Sequence, residues 1–462
     1  MYLHRRVSVY AVRAMKSITA VRPAALQSAT RKAAFRLIPL VMLMYVISYI
    51  DRVNIGFAAT TMNADLGLST AAYGLGAGLF FVGYVVCEVP SNIILHRVGA
   101  RIWLARIMVT WGLISGAMVF VQSEAGFYIV RVLLGVAEAG FVPGVIYLLA
   151  LWFPAQVRAR MVALFIISIP LAVVLGAPLS ALLIEHGDGL WGLAGWRVLF
   201  IAEAIPALVV GILVFFVLPS SPTEVRWLTE PERTALRALL DSEADAASEH
   251  GPSDVFSALK DWRIYAVSFI GFSVNMGGYA LSFFLPQVIA SLAVQFHQKF
   301  SIWDTALLTA IPFAVAALSV WLVGQSSDRH QERCLHAAIP LMVGAIAVSV
   351  ALYLPSTTLI MVAISIAAAG SYSVLPVFWQ LPPRFLTGAA SAAGIGVAGG
   401  LANVAGFVAP YMTGGLETAT GSYKPAMFVV AGVMVAGAVV AFLLRLRPEF
   451  AKPKQRTVEP QR

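Results

Sequence analysis

The sequence predicts an all-α polytopic membrane protein: twelve transmembrane helices in two six-helix pseudo-symmetric bundles. Three observations predict it. The 462-residue chain is 59% hydrophobic and only 12% charged, where a soluble chain usually carries about 25% charge. So little polar surface cannot cover a water-soluble globule. Twelve apolar runs approach or exceed the roughly 20 residues that a spanning helix needs. One long polar break, residues 219–263, divides them six and six, as in membrane proteins built from internal repeats.

In order, the runs cover 36–59, 73–95, 102–122, 126–150, 160–185 and 196–218, then 264–290, 303–325, 335–354, 357–380, 386–412 and 425–446. Gln122-Ser-Glu124 and Leu354-Pro-Ser-Thr-Thr358 serve as very short turns between neighbours. Alternate connections carry the basic residues: Arg97 and Arg101, Arg158 and Arg160, Arg226 to Arg263, Arg329 and Arg333, and Arg384. Asp65, Glu124, Glu185, Asp188 and Glu417 mark the opposite side. Basic loops stay cytoplasmic, so both termini are expected there. The chain then divides into a basic tail 1–33, a bundle 34–218, a linker 219–263, a bundle 264–446 and a basic tail 447–462. In the linker, Thr229-Glu-Pro-Glu232 has capping-box spacing and predicts a short surface helix from Arg233, followed by a flexible acidic segment, Asp241 to Asp254.

The net charge of +9 does not point to nucleic acid, because the basic residues sit in short loops between apolar runs. The two cysteines, Cys87 and Cys334, have no metal-ligand spacing and read as packing residues. The first 32 residues carry seven basic and no acidic residues. That composition suits an organellar transit peptide, a basic cytosolic tail, or a start upstream of Met15, and a basic cytosolic tail is expected.

Charges inside the apolar runs are functional-site hypotheses by default. Asp51 and Arg52 lie in the first run, about 100° apart on a helix. Tyr45, Tyr49 and Arg52 share a face at i, i+4, i+7. A guanidinium flanked by phenols suits a carboxylate ligand, while Asp51 can gain and lose a proton. Arg131 and Glu138 share a face of the fourth run about 10 Å apart; Glu138 is a second proton candidate and Arg131 a fixed cation that alternately pairs with a carboxylate. Glu88 and Glu203 read as structural. The second half carries neutral groups instead: Asn275 and Tyr279, Phe378-Trp379-Gln380, and Asn403 within a glycine run. Nucleotide, metalloprotease and nucleophile-elbow motifs are missing from the sequence, so no enzyme and no cofactor are expected, and the energy source is an ion or substrate gradient.

A loop repeat links the halves. Asn92-Ile-Ile-Leu-His96-Arg97-Val-Gly-Ala-Arg101 follows the second run; Gly324-Gln-Ser-Ser-Asp328-Arg329-His-Gln-Glu-Arg333 follows the eighth. Both approximate Gly-x-x-x-Asp-Arg-x-Gly-Arg-Arg, and their charges are candidate gate locks. Together with the twelve runs and long central loop, this resembles the major facilitator superfamily. Tyr49-Ile-Asp51-Arg52-Val-Asn54-Ile-Gly-Phe-Ala, Gly83-Tyr84-Val-Val-Cys-Glu88-Val-Pro-Ser-Asn92, Arg131-Val-Leu-Leu-Gly-Val-Ala-Glu138-Ala-Gly140 and Gly195-Trp196-Arg197-Val-Leu-Phe-Ile-Ala-Glu203 are similar to its anion:cation symporters. The first loop copy departs from the pattern, with Asn92 for Gly and His96 for the acidic residue.

The resemblance implies a proton-coupled importer of a small organic carboxylate in the cytoplasmic membrane, with a sugar acid, a tartrate-like hydroxy acid or an aromatic carboxylate as substrate. It implies that acids matching Asp51 and Glu138 couple proton movement to anion uptake. It places Tyr84 and Asn403 at the substrate, beside Arg52, Tyr45, Tyr49, Asn275, Tyr279, Trp379 and Gln380. The expected partners are the anion, protons and lipid, and the expected state is a monomer. A proton-driven exporter of amphipathic compounds and a non-transporting nutrient sensor are the alternatives.

Overall fold

The computed structural model describes residues 23–248, 259–386 and 388–450. Twelve of its helices are long and apolar enough to cross a membrane: α1 Ala24–Leu66, α2 Thr70–Val98, α3 Ala100–Phe120, α4 Glu124–Trp152, α5 Arg160–Gly187, α6 Gly195–Val217, α7 Trp262–Gln295, α8 Ile302–His330, α9 Cys334–Ala351, α10 Thr357–Phe378, α11 Gly394–Thr420 and α12 Lys424–Arg445. The number and order match the apolar runs. The ends do not all match: α1 begins about a dozen residues before its apolar run, because Ala29 and Ala33 pack fully buried beneath the linker. The rest of the N-terminal tail, residues 1–22, and the C-terminal tail from residue 451 lie outside the described residues.

The linker helix, Glu230–Ser248, is longer than the sequence suggests, so the acidic stretch from Asp241 starts helical, and its continuation from residue 249 lies outside the described residues. Glu232 accepts from the Thr229 backbone N–H at 2.8 Å, half of the expected capping box. The same carboxylate also takes Ser28 Oγ and Lys32 Nζ at 2.8 Å. The linker is thereby fastened to the start of α1, which marks one end of the molecule as the linker end.

At the opposite end the two halves close on each other. A Cβ on Gly74 of α2 would stand 2.4 Å from the Pro410 carbonyl oxygen of α11, and one on Gly414 would stand 2.3 Å from that of Thr70. Only glycine allows backbones this near, the usual means by which membrane helices approach. Tyr73 Oη donates to the Phe283 carbonyl at 2.9 Å and the Ala71 N–H to Thr418 Oγ1 at 2.9 Å. These bonds join α2 to α7 and α11.

The duplicated loops differ. In the α8–α9 turn Arg333 pairs with Asp328 at 2.7 Å. In the α2–α3 turn neither Arg97 nor Arg101 has an ion pair among the described residues, and His96 instead packs on Tyr147 at 4.4 Å. Arg329 is likewise without an ion pair among them.

Candidate substrate and proton site

Helix α4 breaks where the sequence weakens it. Its first half ends at Glu138, Ala139 turns extended, and Gly140 adopts a left-handed backbone (φ 86°) that an L side chain rarely takes. The carbonyl freed at Ala139 accepts from Ser91 Oγ at 2.7 Å. Glu138 therefore sits at the negative end of a half-helix, which disfavours an anion. Its charge leans on neighbours: Ser48 Oγ donates at 2.6 Å, and Arg52 Nη2 forms a buried ion pair with it.

This pairing corrects the expectation for α4. Glu138 is held by Arg52, not by Arg131. The Arg131 guanidinium turns to the α2 backbone, donating to the carbonyls of Gly76 at 3.3 Å and Ala77 at 3.4 Å, over the Phe80 ring. Backbone carbonyls of α2 are thus its partners, and it forms no ion pair among the described residues. Arg52 itself is caged by rings: Tyr49 at 5.8 Å, Phe80 at 5.1 Å, Phe81 at 5.9 Å and Tyr84 at 5.5 Å.

Asp51 faces away from this cage. Its carboxylate accepts from Ser115 of α3 and, distantly, from Asn54 at 3.5 Å. Asn54 also donates to Glu203 of α6 at 2.8 Å, and Ser180 of α5 donates to Glu203 at 3.0 Å. The chain Ser115, Asp51, Asn54, Glu203, Ser180 is buried throughout. Asn54, Ser115 and Ser180 were not singled out from sequence, and Glu203 is deeper than its place near Arg197 suggests. Polar residues scattered over four separate spans carry no pattern that would join them.

A cavity of about 430 Å³ opens toward the linker end, lined by Tyr45, Arg52, Tyr84, Asn275, Tyr279 and Trp379, among others. Asn403 also lines it. A smaller void of about 40 Å³ adjoins it, touching Tyr45, Tyr49, Asn275, Tyr279 and Tyr372. Tyr45 stacks on Phe165 at 4.3 Å. Gln380 lines neither space; its amide donates to the Pro376 carbonyl at 3.1 Å, capping the broken end of α10. Asp51, Glu138 and Arg131 also lie behind the wall. Glu88, Asn92 and His96 do line the cavity, whereas the sequence alone reads Glu88 as structural. The signal was present in the four-residue spacing from Tyr84 through Glu88 and Asn92 to His96.

Two six-span halves closed at one end, around a cavity with a buried guanidinium, define a secondary carrier. The chain belongs to the Major Facilitator Superfamily, whose family model matches residues 41–410. An Agrobacterium vitis protein named as a tartrate transporter is 43% identical over 416 residues, covering 90% of each chain. An Acinetobacter baumannii quinolone resistance transporter is 36% identical, covering 94% of this chain and 98% of its own. Among solved structures, the partially occluded inward-open xylose transporter XylE from E. coli superposes with a TM-score of 0.69 at 17% identity, covering 90% of this chain and 98% of its own. The last likeness concerns the fold alone.

Proposed function

We propose that the protein is a proton-coupled importer of a small organic carboxylate, working by alternating access. The observation that carries this reading is Arg52, which lines the cavity while its guanidinium holds Glu138. A guanidinium can exchange one carboxylate for another of equal charge. A proton reaching Glu138 releases Arg52 to a substrate carboxylate; loss of that proton restores the internal pair and expels the anion. Asp51 is the second proton site, set behind the cage. Tyr45, Tyr84, Asn275, Tyr279, Asn403 and Trp379 complete the wall around the substrate, with Tyr49 in the adjoining void and Gln380 steadying the end of α10. The two loop copies gate the linker end. The protein resides in the inner membrane, with both termini cytoplasmic, and acts as a monomer.

The test is uptake of labelled carboxylates into proteoliposomes with an inside-alkaline gradient. Accumulation that collapses with the gradient is expected; failure of every carboxylate to enter would refute the reading. Export of amphipathic compounds is the second reading, favoured by the quinolone resistance relative. It predicts gradient-driven extrusion of such compounds and no carboxylate uptake.

A further inference from the structure

The charge lining the cavity is sparse. Among the described residues Arg52 is its only lysine or arginine and Glu88 its only acid, and His96 lies beyond Glu88 toward the open end. Glu88 makes no hydrogen bond or ion pair among the described residues. From these facts we infer that the cavity is built for a monocarboxylate with a hydrogen-bond donor at its far end. Glu88 receives that donor and turns away a second carboxylate. This narrows the carboxylate reading above and rests on it.

The spacing argues for it. Tyr84, Glu88, Asn92 and His96 follow one another at four-residue steps along α2, and all four face the cavity. Arg52 lies 5.5 Å from the Tyr84 ring. Glu88 is one step further toward the open end, about 6 Å along the helix. A carboxylate on Arg52 therefore places the opposite end of a five- or six-carbon acid, or the para position of a benzoate, near the Glu88 carboxyl. A hydroxyl there gains an acceptor. A second carboxylate there meets a like charge in a partly desolvated space, with the one guanidinium already engaged; such juxtapositions cost several kcal/mol. Neither arginine of the following turn relieves the clash: Arg97 lies about 13 Å further along α2, and neither Arg97 nor Arg101 lines the cavity.

The facing wall fixes the other property of the substrate. Phe378 and Trp379 meet edge to face at 4.8 Å, and the Trp379 ring is seated against Gly399, where a Cβ would stand 2.8 Å away. The glycine keeps an aromatic wall opposite the polar stripe of α2, so the substrate has one apolar or flat face.

The experiment compares matched pairs that differ only at the far end: gluconate with glucarate, and 4-hydroxybenzoate with terephthalate. Each is scored by gradient-driven uptake and by protection against thermal unfolding. The monocarboxylate of the productive pair is expected to be preferred at least about tenfold, as like-charge repulsion requires. Glu88→Gln is expected to narrow the preference to about threefold or less by admitting the dicarboxylate, whereas Glu88→Asp keeps it. The thermal melting curve of each variant reports that it is folded. A wild-type preference for the dicarboxylate, or a ratio that Glu88→Gln leaves unmoved, overturns the role of Glu88 alone. If neither pair is transported or protects, the carboxylate reading falls as well.

Discussion

Within its spans the first half buries Asp51, Arg52, Arg131, Glu138 and Glu203, whereas the second half presents the neutral Asn275, Phe378, Trp379 and Asn403 to the cavity that Arg52 lines. Among the described residues, every ion pair inside the spans lies within a single half. The contacts that join the halves at the closed end are hydrogen bonds and close backbone packing, such as Tyr73 on the Phe283 carbonyl. Breaking a buried ion pair by removing one partner costs about 3–5 kcal/mol, far more than a net hydrogen bond at about 1 kcal/mol. One half can therefore rock against the other without stranding a charge. Both partners of the Arg52–Glu138 pair belong to the first half, so rocking alone does not break it.

The sharpest way to break this comparison is to uncouple one half only. Asp51→Asn is expected to abolish gradient-driven accumulation while substrate exchange across the membrane persists. Asn403→Ala is expected to weaken affinity and leave accumulation intact. Proteoliposome uptake with and without the gradient separates the two, and an uncoupled Asn403→Ala would end the division of roles. Next in size is Arg52→Lys. A lysine keeps the charge but loses the planar fork, so affinity measured by calorimetry is expected to fall at least about tenfold, or 1.4 kcal/mol. Glu138→Gln has a subtler effect. The amide still accepts from Arg52 but cannot titrate, so transport loses much of its pH dependence while affinity at low pH stays near that of the wild type. An unchanged pH–rate profile would remove Glu138 from the coupling.

The fold was legible because membrane burial writes itself into long apolar runs, and all twelve emerge with the linker where the charges cluster. Arg52 at the cavity was legible for a related reason, since a charge inside such a run stands out; Tyr84 was legible through the family resemblance of its motif. Which acid meets which base was not legible. Arg131 and Glu138 share a face of one helix, yet Glu138 turns to Arg52 and Arg131 to the α2 backbone. The Asp51–Asn54–Glu203 chain joins α1 to α6, and contacts between distant spans leave no mark in spacing. The exposure of Glu88 to the cavity was not legible either, because its place near the end of an apolar run does not show that the cavity reaches past it to His96.

The linker gives the smallest effect, and it tests whether this segment belongs to the charged half. Burial pushes the Glu232 carboxyl up, but hydrogen bonds from Lys32, Ser28 and Thr229 outweigh that and hold it down at about 2, below its ordinary 4.5. The folded state thus binds this proton less readily than the unfolded chain, so stability rises with pH across the interval. The contribution is complete above pH 4.5 and is lost as pH falls toward about 2. Glu232→Gln carries no titrating group and resembles the protonated form. Its melting temperature is expected to lie below that of the wild type at pH 7, with the gap closing steadily as the solution is acidified through that window. A gap that stays constant with pH would mean that the Lys32 and Ser28 contacts do not fasten the linker to α1, and that the linker moves independently of the first half.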